Sequence, residues 1–423
     1  LTTDPRSQKP LDILMIAPTM FFADYGAHVR ILEEVCTLQK QGHQVTILAY
    51  PNGRDIAGIK VRRGWGVPFN YRVIVGSSRH KIYLDVLLAV MAGWYLLRHK
   101  PDIIHAHLHE GALIGWVLSK LSGLPLVFDF QGSLTAEMID HHFLQRRSPF
   151  YKLLYWLEKR IDQAANVILT SSTHSAHLLV ETFGVSPAKI DPLPDCVNAD
   201  IFCPDRFSTA EKQHLKAALG IPAHKKLIVY LGVLTVYQGI DKLLEALAIL
   251  ATRRNDYHLL LMGYPNTEHY RLVAGTLGLE ECVTFTGKIP YDEAPRYLAL
   301  GDLAVAPKVS ATEGSGKILN YMAMGLPTIA FNMPVSQEFL GGGGIYATEV
   351  SSPALAAALA RGLDLSRDER ARLGHFLRQR VISHYAWERA VEQIQAVYQA
   401  LLSGEPLPGS GKLRSTSRPK VMP

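Results

Sequence analysis

The sequence predicts an α/β fold of two domains, each a parallel sheet covered by helices on both faces. Three observations carry that expectation. Short β-rich apolar runs alternate with helix-period stretches along the chain, the pattern of strands joined by crossover helices. At 423 residues with 48% apolar side chains, the chain has more core-forming material than one compact α/β domain holds. The series of strands also stops at a proline-rich break and then starts again.

In the first series, strands are expected at Leu11 to Ala17, Val45 to Ala49, Ile103 to Ala106, Leu126 to Phe130 and Val167 to Ser171. Val29 to Lys40 has the helical period and stops at Gly42. The break DPLPDCVNADIFCPDRF, Asp191 to Phe207, is dense in prolines and turn formers and reads as an interdomain linker. The second series runs through Leu227 to Leu231, His258 to Met262, Val283 to Phe285, Leu303 to Ala306 and Thr328 to Phe331. A helix at Trp387 to Leu402 closes the ordered chain. The expected division is residues 11–195, residues 205–385, a closing helix at 386–402 and a disordered basic tail at 403–423.

Composition narrows the function classes. The formal charge is +6, but Lys412, Arg414, Arg418 and Lys420 of the tail supply four of those charges, leaving the body only mildly basic. Basic and aromatic residues do not interleave as they do in nucleic-acid modules, so no nucleic acid is expected as a partner. Cys36, Cys196, Cys203 and Cys282 are scattered, without the spacing of a zinc site or a disulfide framework. The opening LTTDPRSQKP lacks the apolar core of a signal peptide, and no apolar run is long enough to span a bilayer. A cytoplasmic protein is expected, at most peripheral on the inner face of the plasma membrane.

Two loops have the makings of an anion site. After the first strand, APTMFFADYGAHVRILEEV places Gly26 at a helix start, where free N–H groups and the dipole favour negative charge. The stronger segment is AVAPKVSATEGSGKILNYMAMGLPTIAF, Ala304 to Phe331. It joins a strand, a Gly-rich loop with Glu313 and Lys317, a helix from about Lys317 to Met324 and a Gly-Leu-Pro stop. Such a loop can hold a diphosphate on its amides while Lys317 neutralises charge and Glu313 accepts sugar hydroxyls. GSGK is not a P-loop, because a Walker glycine would fall at Ala311 and Ile318 follows the lysine. Neither first strand-to-helix turn has the dinucleotide fingerprint. In DIIHAHLHEGALIG, His105, His107 and His109 alternate past a strand end and can share one face. A metal site there lacks a separated carboxylate, and a ligand-facing histidine at the strand end is the preferred reading.

With those segments in hand, the chain resembles glycosyltransferase family four, the retaining sugar transferases, from about Leu11 to Leu402. The resemblance is carried by the Gly26 loop with LEEVCTLQKQGHQVTIL, by DIIHAH ending at His107, by VTFTGKIPYDEAPRYLALGDLAVAP, by EGSGKILNYMAMGLP and by the closing AWERAVEQIQAVY. It implies a GT-B fold: two Rossmann-like domains facing each other across a cleft, with the closing helix crossing back to the first. It further implies sugar transfer from a UDP-, GDP- or ADP-sugar to a glycan or lipid-linked acceptor in cell-surface polysaccharide or glycoconjugate synthesis, with retention and without a metal or other cofactor.

By position, His107 resembles the family's active-site histidine and Glu313 its first acidic residue. Together with Lys317 they form the expected catalytic set. Gly314, Ser315 and Gly316 would lie at the donor phosphates, and the backbone of Lys288 and Ile289 would line the nucleobase pocket. Gly26, Gly232 and Gly263 complete the donor side. Two departures stand out: Asn320 replaces a ribose-binding glutamate, and Val233 and Gln238 occupy the places of an arginine and a lysine. Acceptor contacts are expected from the first domain, with Gln131 and Glu137 of DFQGSLTAEM as candidates.

IYLDVLLAVMAGWYLL, Ile82 to Leu97, is apolar around most of a helix and flanked by Arg79, Lys81, Arg98 and Lys100. Core burial is the first expectation for it. Together with the basic aromatic run QRRSPFYKLLYWLEKR, Gln145 to Arg160, the second is docking of the first domain on an anionic membrane. Two other functions stay open at the level of sequence: a sugar-nucleotide epimerase of the same architecture, and a non-catalytic nucleotide-binding scaffold, to which the losses at Val233 and Gln238 point.

Overall fold

The computed structural model describes residues 9–24, 26–66, 81–141, 143–310 and 313–408. Seven parallel strands form the first sheet: β1 Asp12–Ala17, β2 Gln44–Ala49, β3 Lys60–Arg63, β4 Ile103–His107, β5 Leu126–Phe130, β6 Val167–Thr170 and β7 Ile190–Pro192, in the order 3-2-1-4-5-6-7. Six form the second: β8 Lys226–Leu231, β9 Tyr257–Met262, β10 Val283–Gly287, β11 Leu303–Ala306, β12 Thr328–Phe331 and β13 Ile345–Ala347, in the order 10-9-8-11-12-13. Every pairing within both sheets is parallel.

The helices of the first half are α1 Gly26–Lys40, α2 Lys81–Arg98, α3 Leu108–Ser122, α4 Leu134–Asp140, α5 Pro149–Ala164 and α6 Thr173–Glu181. Those of the second are α7 Thr209–Ala218, α8 Ile240–Ala251, α9 Thr267–Thr276, α10 Ala294–Leu298, α11 Gly316–Ala323, α12 Pro334–Leu340, α13 Ser352–Asp364, α14 Arg367–His384 and α15 Trp387–Ser403. Local chemistry marks several of their ends. Capping boxes of Ser208 with Glu211 and Ser366 with Glu369 start α7 and α14, and left-handed Gly123 and Gly404 stop α3 and α15.

Each sheet reverses its strand order once, between β1 and β4 and between β8 and β11. In open α/β sheets ligands gather beyond the strand ends at that reversal. The central strands are buried on both faces, as Ile13, Met15 and Ile16 are in β1 and Leu227, Ile228 and Val229 in β8, which is why they read as unbroken apolar runs.

The chain passes between the lobes twice. It leaves the first sheet after β7 and returns where α14 gives way to α15. At the crossing the Val197 N–H donates to the Tyr385 carbonyl at 2.8 Å, and Val197 forms a parallel bridge with Ala386. The closing helix α15 then packs on the first lobe. Trp387, Val391, Ile394 and Tyr398 share a core with Ile13, Met15, Ile31 and Val35.

Four expectations need correction. The linker expected from Asp191 instead begins as the edge strand β7, because Ile190 to Pro192 pairs with Ile168 to Thr170. Strands β3 (KVRR) and β13 (IYA) were not anticipated, being short and at sheet edges. Core burial of the apolar helix holds for only one stripe of α2, Leu84, Leu88, Ala92 and Tyr95, since a single covering layer has only one face to bury. The tail expected from residue 403 stays packed at Leu407, against the first-lobe core. Its basic residues Lys412, Arg414, Arg418 and Lys420, and Arg79 before α2, lie outside the described residues.

Candidate active site

A cleft of about 340 Å³ opens between the two switch points. Its first-lobe wall includes Gly26, Arg30, Leu108, Gln131 and Glu137, and its second-lobe wall includes Gly232, Gly263, Ile289, Glu313 and Lys317. Val233, Gln238, Gly314, Ser315, Gly316 and Asn320 line it as well. The loop after β11 and the start of α11 are thus brought opposite the start of α1, as an anion held between two helix ends requires.

Lys317 is the centre of the second-lobe wall. Its ammonium donates to Gln238 Oε1 at 2.6 Å and to the Tyr230 hydroxyl at 2.9 Å, and lies 4.4 Å from the Tyr230 ring centroid. Burial, helped by the nearby Lys308 charge, holds its pKa well below the usual lysine range. Gln238, standing where a second cation was expected, therefore serves as the acceptor that aims Lys317. Gly232 has a φ of 152°, and a Cβ there would lie 2.7 Å from the Lys317 ammonium, so the lysine reaches across the loop only because that residue is glycine. Gly314 is held against Asp195 of the other lobe, where a Cβ would lie 2.4 Å from Oδ2. Ser315 Oγ is buried on the cleft wall without a partner among the described residues, leaving a hydroxyl to be satisfied by a bound group.

Sequence reasoning missed a second cation, Lys308. It lines the cleft and is paired to Glu313 Oε2 at 2.6 Å and to the Gly314 carbonyl at 2.6 Å. The residue follows β11 directly, outside the glycine pattern, and its position at a strand end was the only available signal. Glu313 also faces His141 at 3.7 Å, and the His141 ring lies 4.4 Å from that of Tyr237. Across from it, Glu137 is pushed up to about 8 by burial and by the Glu313 charge. The cleft thus holds one carboxyl whose protonated form is favoured beside another ion-paired to lysine.

The first-lobe wall rests on a buried charge network centred on Arg30. Its guanidinium binds Asp129 through Nε and Nη2, donates to the Leu193 carbonyl, and reaches Asp195 at 3.1 Å and Glu34 at 3.2 Å. Burial opposes this charge, but the three carboxylates outweigh it and raise the Arg30 pKa further. Asp129 is driven the other way: Arg30 overcomes its burial and lowers it. Asp129 Oδ2 in turn accepts from Gln131 Nε2 at 2.8 Å and meets His107 Nδ1 at 3.0 Å.

His107 does not line the cleft. It is fully buried, stacked on His105 with centroids 4.7 Å apart, and half-buried Leu108, with φ at 61°, takes the place on the cleft wall. The expectation that three histidines share a face also needs correction. The chain turns into α3 immediately after His107, which sends His109 to a different pocket among Phe128, Phe130, Glu158 and Asp162. His105 and His107 instead approach Glu34, at 3.9 Å and 3.8 Å. Burial disfavours the charge on His109, yet the Asp162 hydrogen bond and charge, with Glu158, raise it to about 9.

Lys288 is likewise not on the cleft wall, although its neighbour Ile289 is. Its ammonium pairs instead with Asp24 of the facing loop, at 3.0 Å. That pair belongs to a clasp between lobes in which the Tyr264 hydroxyl donates to Ala23 O at 2.6 Å and the Tyr291 hydroxyl to Glu33 at 3.0 Å. A second clasp joins Glu338 to the backbone N–H groups of Thr173 and His174 at the start of α6. Among the described residues nothing lies within 4 Å of a Cβ built on Gly26.

Comparison with known proteins gives the same architecture. Residues 25–201 match the model of Glycosyltransferase Family 4, and residues 225–364 match that of Glycosyl transferases group 1. The D-inositol 3-phosphate glycosyltransferase of Corynebacterium glutamicum is 26% identical over 410 residues, covering 91% of this chain and 94% of that protein. Among solved structures, sucrose-phosphate synthase from Thermosynechococcus elongatus superposes with a TM-score of 0.78 at 21% identity, over 93% of this chain and 100% of that one. Anabaena Alr3699/HepE, solved in complex with UDP and glucose, gives 0.73 at 17% identity, over 92% and 100%.

Proposed function

Because the chain belongs to glycosyltransferase family four, we propose that it moves a glycosyl group, with retention, from a nucleoside diphosphate sugar to a hydroxyl of a glycan or lipid-linked acceptor. The observation that carries this reading is the donor-side constellation: Lys317 aimed by Gln238 and Tyr230, beside the amides of Gly314 to Gly316 at the start of α11. That arrangement suits a group whose negative charge grows on phosphate oxygens. The UDP and glucose in the HepE structure support the same class of donor.

In the proposed reaction the bond between the anomeric carbon and the phosphate oxygen breaks, and the nucleoside diphosphate leaves with the electron pair. The acceptor oxygen forms the new bond on the face being vacated, and its proton passes to the departing phosphate oxygen. Lys317, Lys308 and the loop amides stabilise the growing charge, so the chain's own cations fill the electrostatic role and no resident metal is invoked. Glu313, held by Lys308, is placed to accept sugar hydroxyls. His107 is assigned a positioning role behind the wall, through Asp129 to Gln131 and Arg30, which do face the cleft. Glu137 and Gln131 are the acceptor-side candidates.

The test is calorimetric titration with UDP, GDP and ADP, followed by proton NMR of the product formed from the matching sugar donor. Binding of one nucleotide and a product of unchanged anomeric configuration are expected. No binding at millimolar concentration overturns the donor assignment, and an inverted product overturns retention. Incubation with donor alone, giving a rearranged sugar nucleotide, would favour an epimerase instead.

A further inference from the structure

The outer faces of α2, α3 and α5 carry a feature that sugar transfer does not use. On α2 the exposed positions are Ile82, Val86, Val90, Trp94 and Leu97, spaced as one helical stripe. Leu97 is 82% exposed and Ile82 70%. Helix α3 packs on α2 and adds Val117 and Leu121. Helix α5 packs on α3 and adds Phe150, Leu153 and Trp156. The opposite stripes of all three helices lie in one core under the first sheet, so the exposed stripes face outward together. An apolar surface of that extent marks an interaction site.

The charges on these helices are sorted by sign. Lys120, Lys152, Arg160 and Arg98 are exposed, as are Lys100, Arg146 and Arg147 beside them. The carboxylates turn inward: Asp85 accepts from the Tyr50 hydroxyl, Glu110 pairs with Lys81, and Glu158 and Asp162 are fully buried. Arg98 lies over the Trp94 ring and Arg160 over that of Trp156, which sets tryptophans and cations at one level. No helix among the described residues is long and apolar enough to cross a bilayer.

We propose that this face docks the first lobe on an anionic lipid surface, with the apolar stripe at the headgroup–acyl boundary and the surrounding lysines and arginines on acidic headgroups. A second copy of the chain is a poor occupant, because pairing two such faces would bring like charges together without a carboxylate between them. The surface runs up to the cleft. Lys81, the first residue of α2, lines it, and Ile82 is already on the apolar stripe. A lipid-linked acceptor would thereby have its head beside Gln131 and Glu137 while its tail stays in the membrane. The docking itself does not depend on the identity of the donor.

Vesicle flotation tests the proposal, using the full chain without nucleotide. The protein should float with phosphatidylcholine vesicles containing phosphatidylglycerol, with a blue shift in tryptophan fluorescence, and be released as salt rises from ~0.1 M to ~1 M, where the screening length falls to about 3 Å. A Trp94→Ser, Leu97→Ser, Trp156→Ser variant should lose binding and keep its thermal unfolding midpoint, since these side chains are exposed. Lys152→Glu with Arg160→Glu should weaken binding roughly thirtyfold or more. Failure to float with anionic vesicles, equal flotation of the serine variant, or a concentration-dependent dimer that the serine variant abolishes would each overturn it.

Discussion

Lys317 carries the largest residue-scale consequence. Burial and Lys308 pull its pKa down in the free cleft, and a diphosphate beside it would pull it back up. Lys317→Ala should lower turnover, read in a donor-saturated rate assay, about a hundred- to a thousandfold, the usual effect of removing one placed donor to a developing anion. Glu137 offers a complementary test with a definite sign. Its carboxyl titrates near 8 in the folded cleft against an ordinary 4.5, so its contribution to stability is fully present below about 4.5 and is lost as pH rises through about 8. Glu137→Gln should raise the unfolding midpoint relative to the parent more at pH 8 than at pH 5, both values bracketed by that shift. An equal change at both values would mean that this carboxyl is already ionised.

At the scale of elements, the central strands were legible because both faces are buried, which leaves runs such as LVFDF and LAVA with no polar alternation. Edge strands β3, β7 and β13 were not, since runs of three or four residues are too short to carry a period. The loop before α11 was legible from its glycines, and the structure adds why Gly314 must be one: Asp195 leaves no room for a Cβ. Gly314→Ala should push the loop off the first lobe and weaken nucleotide binding at least tenfold while the unfolding midpoint stays within a few degrees. Unchanged affinity would show that the loop can shift freely. The histidine face failed for a different reason. Period-two reasoning cannot see the left-handed Leu108 that ends β4, and it is that turn which parts His109 from His105 and His107. Lys308 and Arg30 escaped notice because their roles arise from partners 4 to 165 residues away in the chain.

For the molecule as a whole, α15 belongs to the second lobe by sequence and to the first by packing. Ile394 is fully buried in the core it shares with β1, so Ile394→Asp places a carboxylate in an apolar core. The expected loss is about 3 kcal/mol or more, roughly 6 °C or more in unfolding midpoint for a lobe of this size. Differential scanning calorimetry should show the first lobe melting early. A single unshifted transition would mean that the helix is dispensable to that core.

The hydrogen bond and bridge that tie Val197 to Tyr385 and Ala386 have a mechanical corollary. Two strands fastened side by side resist sliding and permit swivelling, so the lobes are bound like the covers of a book with its spine at these residues. Opening the book leaves the spine intact. Any such opening would have to part Tyr264 from Ala23, Tyr291 from Glu33 and Glu338 from the start of α6.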